Sequence, residues 1–574
     1  MGSRGESRAS GLWGARRGGR GTGGVRGATV KRGLVALAAL ALAAPIAASA
    51  GSGHGQRHAD TYVAPTLESL ASTQPDAAVN VLVRSDRSAG RAADALDEAG
   101  YSDSRRLPIV DAAAARVHAR DLPRIAETPG LVIVPDTLMV LDGLGKGRLG
   151  KKRNPHEQPI SNDLWTSAVG LDRLWSRLPL PPSPGGSGSE TPSIAFVDSG
   201  IDSSRGDFAG RIRAQVTLAS LSGNTPGDGR GHGTFVAGLA AGNAPRHAGA
   251  APDAGIVSID VMDDRGMART SDVIAAAQWI LRNRKQYDIR VVNLSLQSAS
   301  RSSFRWDPLD KAVEKLWFSG VVVVASAGNY GNGHSTRVAY GPGNDPFVIS
   351  VGALDLNGSA EPAHATVPSW STWGYTYDGF AKPELSAPGR SLIGPIPADS
   401  TLARERPGQV LNGPGEPYMK LSGTSLSAPI VSGIAADLLM LHPTFTPDQV
   451  KGALMLAARP VPGAGRAAGV GEAYAPTAAV LDTPPNPNRA LNAFLVPDPA
   501  GGAAFDDAAW LSASRASVSW DSVSWLDGWT GAAWSPVSWS DVSWSDVSWS
   551  DVSWSDVSWR DVSWLDAPSS DVDP

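Results

Sequence analysis

Cysteine is absent from all 574 residues. Without a thiol there is no disulfide framework, no cysteine nucleophile and no thiolate metal site, so stability must come from a packed core. A strong charge of one sign is missing as well. The 51 basic and 56 acidic side chains leave a formal net charge of -5, which excludes a nucleic-acid surface spread over the whole molecule and calls for no acidic partner. Metal-ligand spacing is also lacking: His54, His58, His118, His156, His247, His334, His364 and His442 are scattered, and no D-x-D-x-D-G calcium loop occurs. The apolar run Gly33 to Ala44 is broken by Pro45 and falls short of the roughly 20 residues that a membrane span needs. It follows a basic block (Arg4 to Arg32) and precedes Ala48-Ser49-Ala50. That layout predicts a signal peptide over 1–50, export, and no stable membrane anchor. The Arg16-Arg17 pair lies far from the apolar run, so ordinary secretion is expected rather than a twin-arginine route.

The length exceeds a single typical core and predicts one large domain with appendages. A polar linker is expected over 51–77. Over 78–142 the pattern predicts a small α+β domain in βαββαβ order: strands at Val79 to Val83 and Ala112 to Val117, helices at Ala89 to Ala99 and Asp121 to Glu127, and last strand signals at Val132 to Pro135 and Thr137 to Leu141. A basic linker follows at 143–161, and the Pro-, Gly- and Ser-rich stretch Leu178 to Thr191 should be exposed.

The main domain is expected over 162–482. Its strands are nearly continuous apolar runs, beginning at Ile194, Ile256, Val291, Val321 and Phe347. Such strands belong to a parallel sheet covered on both faces, so the fold class is α/β, doubly wound. Ser271 is placed as the cap of a helix to about Arg284, and Asp307-Pro308 and Thr446-Pro447 open two more. Ligands of such a fold bind beyond the carboxyl ends of the strands.

Four segments carry chemistry: SIAFVDSGID from Ser193, GHGTFVAG from Gly231, SAGNYG from Ser326 and LSGTSLSAP from Leu421. Asp198 ends a strand, His232 sits between glycines before a small-residue helix, and Ser425 opens an apolar helix whose unpaired N–H groups favour negative charge. A hydroxyl activated by an imidazole, with a carboxylate fixing the tautomer, is a nucleophilic device that works without metal or thiol. Asn329 and the Ser425 N–H can supply two donors to an oxyanion. Asp198-Ser199-Gly200 also fits an aspartic protease signature, but that chemistry needs two aspartates sharing a proton and no second copy occurs.

In that chain order the four segments resemble the Asp, His, Asn and Ser motifs of the subtilisin-like serine proteases, and GTS followed by SAP is the most specific of them. Gly374 to Gly389 also looks like the segment that precedes the nucleophile in that family. The resemblance implies a serine endopeptidase acting on proteins or peptides, with a triad of Asp198, His232 and Ser425 and with Asn329 in the oxyanion hole. It implies that Ser295, Leu296, Gln297, Ala327 and Gly328 bind substrate, with Gln297 where the family commonly has glycine. It further implies that the 78–142 domain is an inhibitory propeptide acting intramolecularly, cut away near the basic stretch at Lys151 to Arg153. No cofactor is required; calcium, which many members bind, is not located by any motif.

The last section, 483–574, differs from the rest. Ten tryptophans stand from Trp520 to Trp564, and the seven from Trp534 on recur every five residues, S-D-V-S-W in the cleanest copies, a period that fits neither a helix face nor a strand face. A low-complexity exposed extension is expected, with glycan or cell-wall contact and a pentapeptide-type solenoid as alternatives. A different class of function is a surface-binding protein acting through this tail, with the peptidase domain auxiliary.

Overall fold

The computed structural model describes residues 61–141, 162–176, 191–331, 338–411, 415–499 and 501–516. The expected signal peptide, the basic linker and the Trp repeats lie outside them.

The small domain contains strands β1 (Tyr62–Val63), β2 (Ala78–Ser85), β3 (Arg105–Leu107), β4 (Ala112–His118) and β5 (Leu131–Pro135), and helices α1 (Pro65–Thr73), α2 (Ala89–Glu98) and α3 (Leu122–Ile125). Its sheet order is β1-β5-β2-β4-β3, and the expected βαββαβ unit runs from β2 to β5. The stretch expected as linker is different. Residues 62–73 form β1 and α1, because Leu67 buries in the same apolar cluster as Val81, Ala92 and Ile133, and Pro65 opens the helix where a missing N–H is harmless. The last strand signal also has another destination: β6 (Leu138–Leu141) leaves this sheet and pairs with the large domain.

The large domain is built on a parallel sheet of seven strands: β7 (Ser193–Asp198), β8 (Ile212–Thr217), β9 (Ile256–Asp260), β11 (Ile289–Leu294), β13 (Val322–Ser326), β14 (Ile349–Leu354) and β15 (Leu385–Pro388). The order is β15-β14-β13-β11-β7-β9-β8. Two short strands outside it, β10 (Met267–Arg269) and β12 (Leu296–Ser298), flank β6, which runs antiparallel to both. The five inner strands are buried along almost their whole length, whereas β8 alternates half-buried and exposed residues at the edge. That alternation explains why it did not stand out as an apolar run.

The longer helices of the large domain are α4 (His232–Ala241), α5 (Thr270–Asn283), α6 (Pro308–Phe318), α7 (Thr424–Leu441) and α8 (Pro447–Ala457). α4 and α7 pack together, with α7 against β11, β13, β14 and β15, while α5 and α6 pair with each other. α7 is long and apolar enough to cross a membrane, yet 89% of it is buried inside the fold, the position of a core helix. Asp307 caps α6 by accepting from the Leu309 N–H at 2.8 Å, and Thr446 and Gln449 close a capping box on α8.

The cap expected from Ser271 is not what holds α5. The helix begins one residue earlier, and Ser271 lies in its first turn, where its N–H and Oγ donate to Asp136 of the small domain at 2.9 and 2.7 Å. The Thr270 N–H donates to the Thr137 carbonyl at 2.9 Å. The helix start is therefore capped from another domain, and Ile109 and Val110 of the small domain join the same apolar cluster as Val273 and Ile280 of α5.

The ordered fold also passes the expected boundary near 482. β16 (Leu495–Pro497), β17 (Ala503–Phe505) and α9 (Asp507–Ala516) fold back onto the domain. The anchor is aromatic: the Trp510 ring stacks on Phe380 at 5.7 Å and meets Phe304 edge-on at 5.7 Å, and Phe505 meets Phe347 edge-on at 5.3 Å. Lys311 of α6 donates to Asp507 at 3.0 Å beside them.

Candidate active site

Asp198 ends β7 at the sheet centre, next to β11, where the strand order changes direction. Its carboxylate meets His232 Nδ1 at 2.8 Å from Oδ1 and 3.0 Å from Oδ2, and both side chains are fully buried. Such a carboxylate keeps a proton on Nδ1 and turns Nε2 outward as the basic nitrogen. The approach of β7 to α4 depends on two glycines. A Cβ on Gly200, which has φ +93°, would collide with the Gly227 carbonyl, and one on Gly233 with the Gly200 carbonyl.

His232 is the first residue of α4, and a residue missed at the sequence level holds that start in place. Asp228 accepts from the Gly231 N–H at 2.6 Å, the Thr234 N–H at 2.7 Å and the Ser199 hydroxyl at 2.8 Å. Ser199 Oγ in turn accepts from the Gly233 N–H at 3.0 Å. The two segments that carry Asp198 and His232 are thus tied together through a serine and a second aspartate. Burial pushes the Asp228 carboxyl up to about 7, against the hydrogen bonds that lower it. Asp260, opposite Asp198 in β9, is likewise pushed up to about 6 by burial, despite its bond from the Asn224 amide at 2.7 Å. The signal for Asp228 was its place four residues before His232, in a loop rich in glycine.

Ser425 is the second residue of α7, so its N–H has no acceptor within the helix. Asn329 follows β13, and its side chain is fixed by function of its oxygen: Oδ1 accepts from the Thr424 N–H at 2.9 Å and the Thr424 hydroxyl at 3.1 Å. The amide nitrogen and the serine share one neighbourhood: a single point, a Cβ built on Gly423, lies 3.2 Å from Asn329 Nδ2, 3.0 Å from Ser425 Oγ and 3.8 Å from the Ser425 backbone nitrogen. Two N–H groups flank the hydroxyl, a geometry able to receive negative charge on an oxygen. Ser425 Oγ and His232 Nε2 are both buried with no hydrogen-bond partner among the described residues. The bond between them is not made in this structure.

The expected binding residues lie around the same point. The Ser295 hydroxyl donates to the Ser425 carbonyl at 2.7 Å, and the Gly328 N–H donates to Thr424 Oγ1 at 3.1 Å. Leu296 and Gln297 pair with Leu141 and Val140 of β6, and Ala327 is buried beside Gly328. Among the described residues no group of three or more His, Asp or Glu is placed to hold a metal ion.

Residues 189–471 match the subtilase family, peptidase S8. The chain is 30% identical over 366 residues to subtilisin E of Bacillus subtilis, which covers 63% of this chain and 80% of that protein. It is 32% identical over 268 residues to serine protease AprX of Bacillus subtilis, covering 45% and 59% of the two chains. Fervidolysin from Fervidobacterium pennivorans, described as a keratinolytic enzyme related to subtilisin, shares the fold at a TM-score of 0.53 and 22% identity, over 72% of this chain and 62% of that one. The match thus spans less than two thirds of AprX and of fervidolysin. With a family match across the sheet and helices that carry the site, and with four fifths of subtilisin E aligned at this identity, the chain belongs to the subtilase family of serine proteases.

Proposed function

We propose that the protein is an exported serine endopeptidase, made as a precursor, that cuts protein chains through an acyl-enzyme on Ser425. The observations that support this are the Asp198–His232 pair at the end of β7 and, at the start of α7, Ser425 beside the pinned Asn329 amide, on helices α4 and α7 that pack together. When substrate enters, the Ser425 hydroxyl turns to His232 Nε2, which takes its proton as Oγ bonds to the scissile carbonyl carbon. Asp198 stabilises the imidazolium so formed. The carbonyl oxygen becomes an oxyanion held by Asn329 Nδ2 and the Ser425 N–H. Collapse breaks the C–N bond, with the leaving amine taking the proton from His232. Water then repeats the sequence on the ester, giving its proton to His232 and releasing the acid and the serine.

Substrate adds as an extended strand between β10 and β12. The support for this is that β6 already runs there, antiparallel to both, a mode in which main-chain hydrogen bonds hold and side-chain pockets select. The 78–142 domain acts as the intramolecular inhibitor, its last strand leading into the cleft, and removal after export releases the enzyme. The apolar run near the N-terminus directs secretion.

The test is Ser425→Ala. The variant should accumulate as a folded, full-length precursor that does not digest casein. Normal maturation and casein digestion by that variant would overturn the assignment.

A further inference from the structure

We infer that Gln297 sets the side-chain preference of the cleft, selecting a carboxamide such as glutamine or asparagine just before the scissile bond and excluding bulky aromatic groups. The inference rests on the peptidase reading above and goes beyond it to the substrate class.

Strand direction locates the pocket. As β6 runs from Met139 to Leu141, its partners in β12 run from Ser298 to Leu296, so a chain leaving β6 comes abreast of Ser295, whose hydroxyl holds the Ser425 carbonyl. Gln297 stands two residues after Ser295, in the strand that pairs with β6. Its amide reaches the opposite wall. A Cβ on Gly328 would lie 2.9 Å from Gln297 Oε1 and 3.2 Å from Nε2, and Gly328 immediately precedes Asn329, whose amide lies beside Ser425. The side chain next to the carbonyl under attack therefore meets Gln297 first.

The amide is also short of a partner. Gln297 is 2% exposed, and its Nε2 has no hydrogen-bond partner among the described residues. A buried N–H without an acceptor is costly. An apolar side chain seated against it keeps that cost, whereas a carboxamide supplies both an acceptor for the N–H and a donor for the oxygen. The same amide takes up space between β12 and residues 327–329 that a glycine would leave open, which narrows the slot against a phenyl ring. Sites with a buried polar group discriminate strongly against substrates that leave it unpaired.

The experiment uses the secreted, processed enzyme and four peptides identical except at the residue before the cut: glutamine, its apolar isostere methionine, leucine and phenylalanine. Wild-type kcat/KM should be about tenfold higher for glutamine than for methionine. Gln297→Leu should reduce that ratio to about twofold or less, and Gln297→Gly should raise phenylalanine about tenfold or more relative to glutamine. Equal wild-type rates for glutamine and methionine would overturn the proposal, even if neither variant folds. So would an unchanged rank order in both variants. Labelling of Ser425 by phenylmethanesulfonyl fluoride, read by mass spectrometry, separates the two levels: labelled enzyme with a flat preference removes only the role of Gln297. Absence of labelling and of cleavage removes the peptidase function and the preference with it.

Discussion

The first turns of α5 and α7 have the same unpaired N–H groups and meet different partners. At α5 they are covered by the Asp136 carboxylate and the Thr137 carbonyl from the small domain. At α7 the Asn329 oxygen takes the Thr424 N–H and hydroxyl, and the next N–H, that of Ser425, has no acceptor within the helix. α4 lies between these extremes, with Asp228 capping its start and His232 still facing the site. A helix N-terminus favours negative charge wherever it occurs. The same physics joins two domains when a carboxylate sits there, and serves chemistry when the place is kept for a charge that forms during reaction.

The comparison breaks most sharply at Asn329. In the proposed mechanism Asn329→Ala removes a donor to the developing oxyanion, and it frees the Thr424 N–H. Steady-state kinetics should show kcat lowered by about 100-fold or more with little change in KM, and an unchanged kcat would remove Asn329 from that role. At α4, Asp228→Ala leaves two N–H groups and one hydroxyl without their acceptor in a buried place. A cost of about 2–3 kcal/mol is expected, read as a lower denaturation midpoint in urea.

The smallest effect is expected at α5. Removing a capping side chain costs about 1 kcal/mol, and here the effect carries a pH sign. Burial raises the Asp136 carboxyl from 3.8 to about 6 in the docked state, so docking takes up a proton. Its contribution is complete below about pH 4 and is lost as the pH rises through about 6. Protection of the Ser271 amide in hydrogen exchange, corrected for intrinsic rate, should be greater at pH 5 than at pH 7.5, and Asp136→Asn should flatten the difference. Equal protection at both pH values in the wild type would separate the cap from any titration.

These helix starts also mark what a sequence reveals. Asp198, His232, Asn329 and Ser425 stand in local patterns, each at the end of an apolar strand or the opening of a small-residue helix, so each is visible within about ten residues. The inner strands are equally legible, because burial on both faces leaves an unbroken apolar run. Asp136 is not: its partner lies 135 residues away, and nothing nearby distinguishes a carboxylate that will cap a foreign helix from one on the surface. Residues 62–73 read as polar linker because one buried leucine, Leu67, anchors most of the turn. The 495–516 segment was hidden by its neighbourhood, since Trp510 reads like one more tryptophan of the tail until Phe304, Phe380 and Phe505 surround it. Long-range pairing, rather than weak local preference, is the common reason.

With substrate taking the place of β6 between β10 and β12, as proposed, the strands set a geometric limit on what can be cut. Neighbouring strands lie about 4.8 Å apart, so the gap between those two edges is wide enough for one straightened backbone and too narrow for a helix, whose width is about 10 Å with its side chains. A compact target must surrender a few residues from its own structure before any bond reaches Ser425. Susceptibility should therefore follow how readily a loop or terminus peels away, and a stable protein carrying a favourable sequence inside a helix should resist until it unfolds.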